Sequence, residues 1–203
     1  MSALRSQQTG FTLVELMIVV SIMGILAGFI IPNFLPQLNE QLESGAHTAA
    51  ADINFARELA VANNTSYEYT FDIANNFYRL EHSGPESWFD NLTRLPFRDI
   101  NDPVSQVTVY LDKLPHLGAK VRLAAVQTDP DSGSPQAVTT LEFGPLGETT
   151  RAEPTQIWLT AGQGSAQTYI SVRVDPVTGA ASVGQLTNVA PAVLFTPIAV
   201  AQP

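Results

Sequence analysis

The sequence predicts an α+β fold: a long N-terminal helix packed on a β-rich, two-sheet C-terminal domain. Three observations carry it. Residues 11–31 form a nearly unbroken apolar run whose single charge is Glu15. Beyond it, apolar or small residues recur in steps of three and four at Leu35, Leu38, Leu42, Ala46, Ala49, Ile53, Ala56 and Ala60, which is one face of an amphipathic helix. Past residue 65 that period gives way to short alternating runs bounded by turn formers.

The elements follow in chain order. Residues 11–34 read as an apolar helix; its 21-residue run would rise about 32 Å, close to the thickness of a hydrocarbon core. Gly24, Gly28, Pro32 and Pro36 interrupt the pattern, and Pro32, lacking an N–H and crowding the preceding turn, marks a kink. Residues 35–64 form the amphipathic second half, with Glu40, Glu43, Asp52 and Arg57 on the opposite face and "ANNTS" at 62–66 as the stop signal. A straight rod from residue 11 to 62 would measure about 78 Å.

Residues 65–184 form the β-rich domain. Strands are expected at 66–72 and 76–81 around a turn at Ala74-Asn75-Asn76, then within "QVTVYLDKL", "KVRLAAVQT", "AVTTLEFG", "TQIWLTAG" and "QTYISVRVD". Residues 83–103, rich in turn formers, read as a long ordered loop or crossover. Residues 185–203 are an apolar, Pro-containing tail without a charge, either disordered or added to a sheet edge or a neighbouring subunit.

Charge and composition exclude several functions. Ten Lys and Arg stand against nineteen Asp and Glu, a formal charge of −9, so the field repels phosphates and disfavours nucleic acid as a partner. There is no cysteine, which removes disulfides, thiolate metal sites and Cys nucleophiles together. His47, His82 and His116 show no metal-ligand spacing, and no G-x-S-x-G, P-loop or H-E-x-x-H sequence is present. The expectation is a protein that is not an enzyme, with no cofactor and no metal. Asp129, Asp131 and Gly133 have the D-x-D-x-G spacing that begins a calcium loop, but position twelve is Thr140 where a bidentate Glu is needed; a solvated acidic turn is expected instead.

The segment before the apolar run, "MSALRSQQTG", is polar and carries Arg5 without an acid, which puts the N-terminus in the cytoplasm and the following body outside it. An ordinary secretory signal fits poorly, because the run is long, contains a carboxylate and proceeds through "FIIPNFLP" rather than ending at a small-x-small site. A carboxylate at the centre of a membrane helix costs about 2.5–3.5 kcal/mol. Near a helix end it can snorkel to the headgroups or find a cation.

Gly10-Phe11-Thr12-Leu13-Val14-Glu15, the apolar run and Pro32 at its end resemble the signature of type IV pilins and type II secretion pseudopilins. The resemblance implies a leader peptide over residues 1–10, cleaved by prepilin peptidase between Gly10 and Phe11, and N-methylation of Phe11. It implies that the carboxylate of Glu15 neutralises the new Phe11 amine of an adjacent subunit and so selects register during assembly. It implies a single-pass inner-membrane protein, N-terminus cytoplasmic and domain periplasmic, assembled with other pilin-like subunits into a pilus or pseudopilus.

"AAADINFARELAVANN" (49–64), Phe143-x-Pro145-x-Gly147 and the Asp175 to Thr178-Gly179 turn are similar to the GspH/FimT group of minor pilins and pseudopilins. This implies a minor pseudopilin of a type II secretion system, with secreted protein cargo as a further contact, or alternatively a minor pilin of a type IV pilus; a bitopic anchored domain unrelated to filaments is the third reading. Arg57 is expected to be structural, pairing with Asp52 or Glu58 or capping a loop. Some FimT-like proteins carry basic residues near the last turn, whereas nothing after Arg173 here is Lys or Arg.

Overall fold

The apolar run and the amphipathic stripe both fold as helices, and the alternating segments as strands. The computed structural model describes residues 12–30, 36–92, 101–114, 117, 121–129, 133–164 and 167–193. The chain divides into two units, Met1–Gln37 and Leu38–Pro203.

In the first unit α1 runs Leu13–Ile30. Its ten large apolar residues from Leu13 to Ile25 are each 50–75% exposed. A helix apolar all round has no core-facing stripe within its own chain. Ser21 does not break it, because its hydroxyl donates to the Met17 carbonyl at 2.8 Å. The described helix is 18 residues long, and residues 11 and 31, the two ends of the expected span, lie outside the described residues. Among the described residues no helix is long and apolar enough to cross a membrane. The leader 1–10, Phe11, and the kink expected at Pro32 lie outside the described residues.

α2 runs Pro36–Asn63, and from Leu38 onward it belongs to the second unit. Pro36 begins it rather than interrupting it, since the first helical position needs no N–H and suits a fixed φ. Leu42, Ala46, Ala49, Ile53, Ala56 and Ala60 are all buried, as the stripe predicts. At the C-terminus Asn64 adopts φ +50, Thr65 N–H bonds to the Ala60 carbonyl at 3.1 Å and Asn64 N–H to Val61 at 3.3 Å. That pairing is a Schellman stop, tolerated by Asn in the left-handed region.

The strands are β1 Tyr67–Asp72, β2 Phe77–His82, β3 Gln106–Tyr110, β4 Arg122–Thr128, β5 Thr140–Phe143, β6 Thr155–Ala161, β7 Thr168–Val174 and β8 Ala181–Val183. They make two four-stranded antiparallel sheets, β3-β2-β1-β5 and β4-β6-β7-β8. In β1 burial alternates strictly, with Tyr67, Tyr69 and Phe71 inside, so a one-residue slip would expose three aromatics. β4 is buried at every position after Arg122, and its register shifts between Leu123 and Ala125. One cluster of buried side chains takes in α2 and both sheets. The buried Asn76 ties the β1–β2 turn to the second sheet: its Nδ2 donates to the Val121 carbonyl and its Oδ1 accepts from Leu123 N–H at 2.8 Å.

Two expectations change. Within the loop after β2, Ser87–Asp90 form a 3-10 turn, and residues 93–100 lie outside the described residues. In the tail, residues 185–193 are not disordered: Tyr169 and Thr187 exchange both backbone hydrogen bonds, at 2.8 and 2.9 Å, and Pro191 is buried. The free edge of β7 beyond β8 supplies the unpaired groups that hold it. Residues 194–203 lie outside the described residues.

Candidate functional site

Two places gather the residues singled out in the sequence. The first is the start of α1. Thr12 precedes the first helical residue, and its carbonyl accepts from Leu16 N–H. Glu15 Oε2 accepts from both the N–H and the hydroxyl of Thr12, each at 2.9 Å, while Glu15 N–H donates to Thr12 Oγ1 at 3.3 Å. This reciprocal pair is a capping box, T-x-x-E, which satisfies donors that a helix start leaves orphaned. Sequence reasoning assigned Glu15 a cation and missed Thr12, although the spacing Thr12-x-x-Glu15 was its signal. Among the described residues both bonds land on Oε2. Gly10 and Phe11, the expected processing pair, lie outside the described residues.

The second place is a junction where three separate stretches of sequence meet. Arg57, on the last turns of α2, donates through Nε to the Thr178 carbonyl at 2.5 Å. This is the loop cap among the alternatives for Arg57. Asn54, one turn earlier, clamps the start of β8: its Oδ1 accepts from Ala181 N–H at 3.0 Å and its Nδ2 donates to the Ala181 carbonyl at 3.4 Å.

The two turns themselves are fused. Gly147 has φ +85 and Gly179 φ +64, a region L side chains rarely occupy. A Cβ on Gly179 would stand 1.9 Å from the Gly147 carbonyl oxygen. Thr149 N–H bonds to the Pro176 carbonyl at 2.8 Å, joining one turn to the other. Asp175 accepts from the N–H groups of Val177 and Thr178 and from the Thr178 hydroxyl; the Thr178 backbone bond, first among these, holds its carboxyl below the usual range. Outward the junction presents Leu146 and Val177, 85% and 77% exposed. It contains no nucleophile–base pair; its chemistry is that of a structural clamp.

A third cluster fastens α2 to the first sheet. Tyr78 donates to Asp52 Oδ2 at 2.5 Å, and Tyr69 donates to the Asp52 carbonyl at 2.8 Å. The two rings meet edge to face at 5.7 Å, and Tyr67 accepts from Asn63 Nδ2 at 2.6 Å. Asp52 therefore lies at the border of the buried stripe, not on the solvent face expected for it. Burial raises its carboxyl to about 6, against the lowering effect of the Tyr78 hydrogen bond. Burial also lifts both tyrosines well above their ordinary range.

The remaining candidates have other partners. Asp129 pairs with Arg173 at 2.9 Å, and Asp131 lies outside the described residues. His82 bridges Thr65 and Asp90 at 2.9 and 2.8 Å, His47 is exposed on α2, and His116 lies outside the described residues. Among the described residues no group of His, Asp and Glu could hold a metal ion.

Comparison with known proteins bears on the same segments. Residues 5–31 match the family model described as the prokaryotic N-terminal methylation motif. The type II secretion system core protein G of Vibrio cholerae is 39% identical over 64 residues, 32% of this chain and 44% of that protein. A fimbrial protein of Dichelobacter nodosus is 32% identical over 168 residues, 83% of this chain and 76% of its own length. The crystal structure of the Pseudomonas aeruginosa type IV minor pilin FimU aligns at a TM-score of 0.44 and 15% identity, over 75% of this chain and 93% of that one.

Proposed function

We propose, because this chain belongs to the type IV pilin and pseudopilin class, that it is a structural subunit of a pilus-like filament. The observation that carries this is α1, apolar and exposed from Leu13 to Ile25, with Glu15 in its first turn shortly after Gly10-Phe11-Thr12. Such a helix needs partners outside its own chain, in lipid before assembly and among like helices after it. With its flanking residues it anchors the subunit in the inner membrane, N-terminus cytoplasmic and domain periplasmic. Prepilin peptidase cuts between Gly10 and Phe11, and Phe11 is then methylated. Glu15 pairs with the new amine of an adjacent subunit, a charge pair that gains strength at low dielectric. Both capping bonds fall on Oε2, which supports a carboxylate able to serve the helix start and a cation together.

Within the class we infer a minor pseudopilin of GspH/FimT type in a type II secretion pseudopilus. Three spaced motifs meet at the Arg57 junction, and the acidic charge of −9 without a basic strip supports a contact with proteins rather than DNA. Its partners are then other pseudopilins and secreted cargo. The second reading, a minor pilin of a type IV pilus, is favoured by the fimbrial relative, which spans far more of the chain than the secretion protein does.

Intact mass of the membrane-extracted protein tests the class-level reading. N-methyl-Phe11 as first residue is expected, and a mature chain starting at Met1 or Ser2 overturns it. A deletion strain separates the two systems: lost secretion with pili retained supports the first, and lost pili with secretion retained supports the second.

A further inference from the structure

His82, at the end of β2, has a side chain only 1% exposed, and both of its ring nitrogens have partners. Nδ1 lies 2.8 Å from Asp90 Oδ1, and Nε2 lies 2.9 Å from Thr65 Oγ1. The Thr65 hydroxyl stands in turn 3.4 Å from Glu86 Oε2. Glu86 and Asp90 are the two ends of one short turn, so the four groups form a chain that starts and finishes on it. A Cβ on Gly84 would stand 1.9 Å from Thr65 Oγ1 and 2.8 Å from His82 Nε2; the backbone there passes directly over the contact. Hydroxyl, imidazole and carboxylate stand in the order used for nucleophilic catalysis. Thr65, however, is 3% exposed and lies under that cover, so the chain of groups serves as a tie.

Counting hydrogens shows what the tie does. A carboxylate only accepts, so Nδ1 carries a hydrogen toward Asp90. In the neutral ring Nε2 is then an acceptor, and the single Thr65 hydrogen goes to it. Glu86 is left facing a lone pair. In the charged ring both nitrogens donate: Thr65 accepts from Nε2, and its own hydrogen turns to Glu86 Oε2. Histidine is the side chain that ordinarily changes charge between about pH 5 and 8. The titratable groups facing the ring are Asp90 and Glu86 from the turn and Tyr67 from β1, whose ring meets it edge-on at 5.2 Å. Glu81, the preceding residue of β2, points to the other face of the sheet and pairs with Arg79.

We propose that Thr65, His82, Glu86 and Asp90 form a proton-operated clasp, closed when His82 is charged, that pins both ends of the turn carrying Trp88. Trp88 is 74% exposed, and its ring is linked inward through Phe89 to His82, at 5.8 and 5.9 Å. An exposed tryptophan is a side chain suited to anchoring a protein contact, and the clasp sets how rigidly it is offered. Acidification stiffens this surface, and rising pH frees its Glu86 end. The clasp does not depend on which filament system the subunit serves.

The Phe89 N–H, bonded to the Glu86 carbonyl at 3.1 Å, reports on the turn by hydrogen exchange in the full chain, purified in detergent and corrected for intrinsic rates. Its protection is expected to rise between about pH 8 and pH 5.5, by at least about fivefold more than in Thr65→Val, where Nε2 and Glu86 are no longer connected. Comparing the two chains at each pH cancels changes in global stability. Glu86→Gln brings its own donor to Thr65, so in that variant the protection should be present at about pH 8 already and stay flat with pH. Equal rises in the unaltered chain and in Thr65→Val would overturn the clasp. So would a Glu86→Gln chain that keeps the full pH dependence.

Discussion

α1 and α2 both carry continuous apolar character, and they dispose of it in opposite ways. In α1 large β-branched and straight-chain residues stand half or more exposed. In α2 small residues at three- and four-residue spacing are buried, with Leu42, Ala46, Ala56 and Ala60 at 0%. Size explains the difference. Alanine lets a sheet and a helix backbone approach closely inside one domain, whereas an all-round surface of Leu, Ile, Val and Met fits many partners and selects none in its own chain. One helix is finished by folding and the other by its surroundings.

The largest expected effect breaks that contrast directly. Ile53→Ala in α2 removes buried methyl groups and is expected to lower stability by about 2–5 kcal/mol, measured by denaturant unfolding of the full chain. Ile18→Ala in α1 should stay within about 0.5 kcal/mol in the same assay. Equal losses would show that α1 is also packed within its own chain.

Next is the clamp that holds the turns to the end of α2. Gly179→Ala forces a Cβ against the Gly147 carbonyl at a positive φ, and a loss of about 2–3 kcal/mol is expected by thermal denaturation. A change under about 0.5 kcal/mol would show that the junction gives way easily.

Asp52 sharpens the account of α2. Its folded value of about 6 lies above the ordinary 3.8. The native state therefore binds the proton more tightly than the unfolded state does. Stability from this group is fully present below about pH 3.8 and is lost as pH rises through about 6, by roughly 3 kcal/mol. Asp52→Asn keeps an acceptor for Tyr78 without the charge, so it should flatten the difference in unfolding free energy between pH 4 and pH 7.5. An unaltered pH profile would remove the assigned cause.

The smallest stability effect separates two roles of Glu15. Thr12→Val and Glu15→Leu each remove the capping box, about 1 kcal/mol of helix stability. If pairing with an amine drives assembly, Glu15→Leu should reduce filament incorporation with cleavage intact, and Thr12→Val should leave incorporation near normal. Equal defects would assign the effect to capping.

Much of this was legible locally. The stripe of α2, the stop at Asn64, the hairpin around Asn76 and the turn glycines Gly147 and Gly179 all follow from period or from the φ a residue tolerates. Asp52 was misplaced because periodicity treats a carboxylate as solvent-facing, while Tyr78 across the hairpin offered it a donor inside. The role of Thr12 is present in the Thr12-x-x-Glu15 spacing, but the cost of a carboxylate in an apolar run points equally to a distant cation.

By itself the sequence determined the helices, nearly every strand, the acidic surface and the Gly10 to Glu15 signature, since each rests on neighbours within a few residues. Only the tertiary structure decided that Arg57 caps a carbonyl 121 positions later, that Asn54 clamps β8, and that residues 185–193 run along the edge of β7. Those contacts depend on which chain segments are brought together when one core is buried, and no local period specifies that choice.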